Sequence, residues 1–487
     1  MSRSVTFVHT ADLHLAAPFK GLCADDPQIG AELAEATYAA FSAVVDTCIG
    51  READFLVIAG DVYDGAERGL RAQWRFREQL CRLADAGIQV FIAHGNHDPL
   101  TDQVAEQELP EGVHVFGAKA VERYAVLRDG EVIAAVYGQS FGRSAETANL
   151  ALGFRRSGDE PLAVGVLHAN AGGNTDYDPY APASLDDLRA AGMDYWALGH
   201  VHTYGVLCED PWIVYPGNPQ GLSPRGIGQR GCVVVHAENG QVTGVERVEA
   251  ARVIWEQVTV QLQPVTSQAT TAQPAIVQPT EAVAAQPAAM QPATAQAATI
   301  DGLRSMLGQE CSRLRDQYGR PVIARFLLTG ATPLHEVLLR PGVVGELLDD
   351  LRVEQSYIQP WVWIDRLRVE TSSPLDLGSI RSGGGFATEL VRIADELSKD
   401  PCALAQLVAE VTGPVEKALG LPVTAVSGYA HLPEHTHTPD THTPDTHPSV
   451  HTHAVAHAHP PDHAHSLALA HARDLVLSRL LPGDGES

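Results

Sequence analysis

The chain has 487 residues, 45% of them hydrophobic, enough for a large core and for two or three domains rather than one. Sixty acidic residues against 34 basic give a formal charge of -26, which repels polyanions unless cations are concentrated locally, and so counts against a simple nucleic-acid-binding protein. No run approaches about 20 uninterrupted apolar residues, the first residues enter a strand without a secretory segment, and the seven cysteines are scattered with no CxxC pair; a membrane protein and a disulfide or zinc framework are excluded, and a cytoplasmic protein is expected.

From residue 4 to about 250, short β-rich runs (VTFVH, DFLVIA, VFIA, AVGVLH, YWALG) alternate with alanine-rich amphipathic stretches such as AELAEATYAAFSAVVDTCI. This alternation predicts an α/β layered domain over 1–254, with continuous apolar runs for strands covered on both faces. The arginines at 68, 71, 75, 77 and 82 fall on a predicted helix, where a solvated face competes with a phosphate contact. Residues 263–299 are almost wholly Gln, Pro, Ala, Thr and Val, too poor in large apolar residues for a core, and read as a disordered insert. They interrupt a predicted small α+β domain over 255–371, in which WEQVTVQL at 255–262 supplies a first strand and VIARFLL and WVWIDRLRV supply others around a helix.

The region 372–425 is expected to be helical, with apolar residues at helical spacing over 386–420 and a proline break at 401; its apolar face either docks a partner or packs on its own domain. Twelve of the 22 histidines lie between 431 and 471, partly as HTPDTHTPDTH. Proline and aspartate every few residues forbid regular structure there, so 426–466 reads as a disordered linker, with metal buffering as the competing role. A C-terminal helix is predicted over 467–482.

Five segments, each where an apolar run gives way to a loop, share one kind of side chain: DLH at 12–14, GDVYD at 60–64, GNHD at 95–98, LH at 167–168 and GHVH at 199–202. In open α/β sheets functional groups gather at the carboxyl ends of strands, so these segments are predicted to converge on one crevice. Residues two apart in an extended segment point to one side, which lets Asp12 pair with His14, and His200 with His202. Glycines 60, 95 and 199 are expected to let the backbone turn tightly after each strand. Carboxylate, imidazole and amide donors without thiolate favour manganese, magnesium or iron over structural zinc, and there are enough of them for two adjacent ions. Taken singly, each motif is more often a capped loop or a satisfied core histidine than a site; jointly and in this order they point to one. His9 has no ligand partner and reads as core or support.

In this order the five segments resemble the calcineurin-like metallophosphoesterase superfamily. VTFVHTADLHLAAPF, GDVYD and YPGNPQGLSPRGIGQRGCVVV are similar to SbcD-type DNA exonucleases, especially the YhaO-like branch, and ARFLLTGATPLHEVLL resembles the DNA-capping domain of that group. The resemblance implies a two-sheet αββα sandwich with a small capping domain and C-terminal helices. It implies two divalent ions, Mn²⁺ first and Mg²⁺ or Fe²⁺ next, one held by Asp12, His14 and His202, the other by Asn96, His168 and His200, with Asp61 bridging.

His97 would then face the substrate, to protonate the leaving oxygen or steady its charge, with Asp98 either orienting it or capping the turn. Some relatives carry histidine where this chain has Asp64, which is expected to orient His97 or the adjacent loop. The implied activity is exonuclease and endonuclease cleavage at DNA ends in repair, with an SbcC-like coiled-coil ATPase as partner and a homodimer as assembly. The alternative is a phosphoesterase for a small nucleotide or a phosphoprotein.

Overall fold

The computed structural model describes residues 4–19, 22, 27–65, 69–102, 108–263, 293–295, 297–374, 377–397, 399 and 403. Most of the 263–299 insert, the segments after 403, the histidine tract and the expected terminal helix lie outside the described residues.

In chain order the first region comprises β1 (Ser4–Thr10), α1 (Pro27–Gly50), β2 (Phe55–Ala59), α2 (Leu70–Asp85), β3 (Gln89–Ala93), β4 (Val113–Val115), β5 (Glu122–Arg128), β6 (Glu131–Gln139), β7 (Ala163–His168), α3 (Leu185–Ala190), β8 (Tyr195–Gly199), β9 (Gly205–Glu209), β10 (Trp212–Tyr215), β11 (Gly231–Glu238) and β12 (Gln241–Glu249). They build two six-stranded sheets, ordered β12-β11-β1-β2-β3-β4 and β5-β6-β7-β8-β10-β9. In the first sheet β1 to β4 run parallel; in the second β6, β7, β8 and β10 do.

The sheets face one another across an apolar core in which Phe7 stacks on Phe55 at 4.7 Å and meets Tyr195 edge-on at 5.2 Å. The outer face of the first sheet is sealed by α1 and α2, through Phe41, Val44, Phe76 and Leu80; that of the second is sealed by α3 and loops around Trp196, Phe154 and Phe141. This is the αββα sandwich. Strands FLVIA, AVGVLH and YWALG are buried at every position because they are covered on both faces, which is why they read as unbroken apolar runs.

Four of the five arginines, Arg71, Arg75, Arg77 and Arg82, lie on α2 and are used structurally; Arg68 lies outside the described residues. Arg71 and Arg75 pair with Glu35 of α1, Arg82 with Asp46, and Arg77 donates to the Glu108 carbonyl.

The second region contains β13 (Ile254–Leu262), β14 (Ala293–Ala295), α4 (Ile300–Tyr318), β15 (Val322–Ala331), α5 (His335–Leu338), α6 (Val343–Ser356) and β16 (Val362–Ser372), followed by α7 (Leu377–Ser382) and α8 (Phe386–Leu397). Its sheet, ordered β14-β13-β15-β16, is parallel throughout and covered by α4 and α6. An aromatic seam of Trp255, Trp361 and Trp363 packs on Phe19, Ile29 and Leu33, fastening this region to the first. Among the described residues no helix is long and apolar enough to cross a membrane.

Candidate metal centre

The carboxyl ends of β1, β2 and β3 in one sheet and of β7 and β8 in the other open onto a single cleft of about 1110 Å³. Its wall carries His14, Asp61, Asp64, Asn96, His97, His200 and His202, while Asp12 and His168 are buried beneath them. The loops that present these groups are conformationally strained. Asp12, His14, Asp61 and His200 have φ of 54°, 44°, 51° and 98°, a left-handed region that side chains avoid and that persists only where surroundings impose it. The restraint is visible: the amides of Asp12, His14 and Leu15 donate to the carbonyls of Gly60, Asp61 and Val62, lacing the first two loops together.

His168 fixes the centre. Its Nδ1–H donates to the Ala59 carbonyl at 3.0 Å, so Nε2 carries the lone pair, and that lone pair faces Asn96 Oδ1 at 2.9 Å and Asp61 Oδ2 at 3.4 Å. Burial pushes the His168 imidazole down to about 4, leaving it neutral near pH 7. A neutral nitrogen lone pair pressed against two oxygens lacks the proton that would make the contact attractive, and a cation supplies that positive charge.

A second group of donors lies beside it. His14 Nε2 and His202 Nε2 lie 3.2 Å apart, with Asp61 Oδ2 at 3.9 Å from the first and Asp12 Oδ1 at 3.8 Å from the second; His14 Nδ1 is buried without a hydrogen-bond partner. Ligand atoms of Asp12, His14 and His202 fall within 4.8 Å of one another, as do those of Asp12, Asp61 and His168. Burial raises both carboxyls, Asp61 to about 7 and Asp12 well above the usual range, the latter helped by its neighbour Asp61. Nearby cations would reverse that, since opposite charge favours the ionised form. The donor set therefore fits divalent metal, and its lack of thiolate favours manganese, magnesium or iron.

His200 belongs to the cluster by a different contact. Its ring stands 5.2 Å from that of His168, its amide donates to both oxygens of Asp12 at 3.1 and 3.2 Å, and its Nε2 meets the Asp178 carbonyl at 2.8 Å.

His97 and Asp98 part company. The His97 Nδ1 meets Asp64 Oδ1 at 2.6 Å, and its amide donates to Asp61 Oδ1 at 2.9 Å. Asp98, expected either to orient His97 or to cap the turn, is buried beneath the loop, where it accepts from the amides of Gly95 and Val62, both at 2.9 Å, and binds His94 Nδ1 at 2.9 Å. The orienting contact thus comes from Asp64, and Asp98 holds backbone. Burial alone would raise Asp98, but His94 and the Gly95 amide outweigh it and hold the carboxyl below its ordinary value.

Three supporting residues stand outside the five motifs, and their partners come from distant parts of the chain or from the backbone. His94 anchors Asp98. Arg230, buried below the cleft, donates to the His202 carbonyl and to Asn218 Oδ1, fixing the loop after β10. His9 is buried between the sheets, bridging Tyr195 Oη at 3.0 Å and the Leu198 carbonyl at 3.2 Å.

Comparison with known proteins places the chain in a family. The family described as calcineurin-like phosphoesterase matches residues 5–204, the stretch that carries every residue of the cluster, and the middle domain of metallophosphoesterase YhaO matches residues 289–372. The chain is 33% identical over 381 residues to the uncharacterized metallophosphoesterase YhaO of Bacillus subtilis (strain 168), spanning 78% of this chain and 85% of that one. It is 29% identical over 261 residues to the DNA double-strand break repair protein Mre11 of Aeropyrum pernix, covering 50% of this chain and 61% of that one. It is 30% identical over 177 residues to the SbcD component of the nuclease SbcCD of Rhodobacter capsulatus, covering 33% and 41%. Similarity of that extent along most of the YhaO chain, with the family match lying over the cleft, makes this chain a member of the calcineurin-like metallophosphoesterases.

Proposed function

We propose that the chain is a metal-dependent phosphodiesterase that cuts DNA at ends, by exonuclease and endonuclease action, in repair. The observation that carries the hydrolytic reading is the unprotonated His168 Nε2 facing Asn96 and Asp61 at the floor of an open cleft. Asp12, His14 and His202 would hold one ion and Asn96, His168 and His200 the other, with Asp61 between them; Mn²⁺ is the first candidate. Two divalent cations supply Lewis acidity, neutralising charge on a phosphoryl group and lowering the pKa of water.

The chain's own residues then do the following. Asp61, held by the His97 amide, keeps one carboxylate at the centre of the cluster. His97, at the cleft wall, donates a proton from Nε2 to the departing oxygen, while Asp64 holds Nδ1–H and steadies the imidazolium. The sandwich below excludes water from the buried faces of Asp12 and His168, so their orientation does not relax as charge moves.

The DNA assignment draws on the names of the Mre11 and SbcD relatives and on the second region, which would steer duplex toward the cleft as a capping domain. An SbcC-like coiled-coil ATPase is the proposed partner, docking on 372–425, where Phe386 and Ile393 of α8 are exposed; a homodimer is the proposed assembly. A net charge of -26 favours a second reading, a phosphoesterase for a small nucleotide or phosphoprotein. Incubation of the full chain with Mn²⁺ and linear duplex, single-stranded DNA or p-nitrophenyl phosphate separates them. Degradation of DNA that is lost in His97→Ala supports the nuclease; hydrolysis of the small ester alone defeats it.

A further inference from the structure

The loop after β7 folds back over the two imidazoles of the GHVH segment, and one buried amide side chain holds it there. Asn170 is 3% exposed. Its Nδ2 donates one hydrogen to the Asn174 carbonyl at 2.8 Å and shares the other between the carbonyls of Tyr177 and Asp178, both at 3.2 Å, and its Oδ1 accepts from the Asn174 amide at 3.0 Å. The turn begins at Gly172 and Gly173, with φ of 73° and 72°, and closes where Ala171 bridges Ala183.

What the loop delivers is a carbonyl and a hydroxyl. The Asp178 carbonyl, shared with Asn170, receives His200 Nε2 at 2.8 Å, and the Tyr177 hydroxyl accepts from the His202 amide at 3.1 Å. A carbonyl can only accept, so this contact places a proton on His200 Nε2 and leaves Nδ1 as the ring's single lone pair. Were the loop released, the ring would be free to carry its proton on either nitrogen.

We propose that Asn170 is a positioning residue for the metal centre: by holding the Asp178 carbonyl it fixes the His200 tautomer, so that Nδ1 is the ligating nitrogen. The inference rests on the reading of His200 as a ligand. Only a carboxamide meets the loop's demands, since it offers donors to carbonyls and an acceptor to an amide. Aspartate at 170 keeps the acceptor but sets carboxylate oxygens against three carbonyl oxygens.

The test uses the full chain as wild type, Asn170→Asp, Asn170→Ser, Tyr177→Phe and His200→Ala. Bound Mn²⁺ is counted by titration, and the His200 tautomer is read from ¹⁵N chemical shifts of the metal-free protein. Wild type is expected to bind two ions and to show Nε2-protonated His200. Asn170→Asp is expected to weaken one ion about 10- to 100-fold and to mix the tautomers. Asn170→Ser, which keeps one donor, is expected to fall between and remains informative should the aspartate variant fail to fold. Tyr177→Phe should leave the His200 tautomer as in wild type.

Wild-type affinity for both ions with an unmixed tautomer in Asn170→Asp, or in Asn170→Ser if the former does not fold, overturns the proposal. If His200→Ala binds both ions as wild type does, the ligand reading fails instead, and the proposal about the ligating nitrogen fails with it; a tautomer shift in the Asn170 variants would then mark the loop contact alone.

Discussion

Gly199→Ala tests the architecture of the cleft most directly. A Cβ at Gly199 would lie 1.7 Å from the carbonyl oxygen of Ala59 and 2.9 Å from His168 Nδ1, where real Cβ contacts stay beyond 3.0 Å. Ala59 ends β2 in the opposite sheet, and that strand is hydrogen-bonded on both sides, to β1 and β3, so its carbonyl cannot withdraw alone. The two sheet ends must separate by more than 1 Å, judged from the same distances. Overpacking of this kind costs about 1–3 kcal/mol, and two backbones in opposition place this case at the upper end. The displaced carbonyl is also the acceptor that sets the His168 ring, and an error of about 1 Å in a reacting group can cost about 100-fold in rate. Urea unfolding of metal-free protein, metal content and turnover would be measured beside Gly205→Ala, whose Cβ meets nothing within 4 Å. A Gly199→Ala protein with the wild-type midpoint and a full complement of metal would refute the reasoning.

His97→Ala should keep its metal and lose about 10²- to 10⁴-fold in turnover, the range for removal of a general acid, whereas Asp61→Ala should lose both ions and activity; metal analysis beside the rate assay separates the two. Asp64→Asn, read in the same assay, should lower turnover about 10-fold at most, because the pair it weakens is part-exposed, 38% at His97 and 19% at Asp64, and water screens it. In metal-free protein His168 contributes a pH dependence of known sign: its folded pKa, about 4, lies below the unfolded 6.5, so the stability of the neutral ring is full above 6.5 and is lost as pH falls toward 4. The amount is about 3 kcal/mol. Asp61, raised to about 7, works in the opposite direction over the same window, so the check is the difference between wild type and His168→Gln in urea titrations at pH 7 and pH 4, which should shrink by that amount.

The strands of the sandwich were legible because burial on both faces forces unbroken apolar runs, and the cluster because each motif stands where such a run stops. Helix α4 is less legible: its sequence IDGLRSMLGQECSRLRDQY follows a compositionally poor stretch and spaces Leu303, Leu307, Cys311 and Leu314 among charged residues. The glycines were legible as necessary but for a reason that holds at one position only. Gly60 takes φ 95°, and all three leave room for the His168 ring by lacking a side chain; a Cβ would first meet that ring at Gly60, Asp61 Oδ1 at Gly95 and the Ala59 carbonyl at Gly199. Asp64 and Asp98 illustrate the limit of adjacency. Asp98 follows His97 in sequence, but the turn swings its carboxylate under the loop toward backbone amides, and the residue that reaches His97 comes from the end of another strand.

The strain and the hydrogen bonding of the loops together bear on what holds this cluster in shape. Four cluster residues sit in left-handed backbone conformations, each costing on the order of 1–3 kcal/mol. A single chelated ion would be an expensive way to impose all four if the loops were otherwise slack. They are not slack: Asp12 receives the His200 amide, Asp61 receives the His97 amide, and the first two loops share three backbone hydrogen bonds. Every one of these is a bond between protein atoms, and the packed sheets beneath supply the burial that sustains them. The geometry of the cluster is therefore supported by contacts between protein atoms, and repulsion among its lone pairs is what a bound cation would relieve.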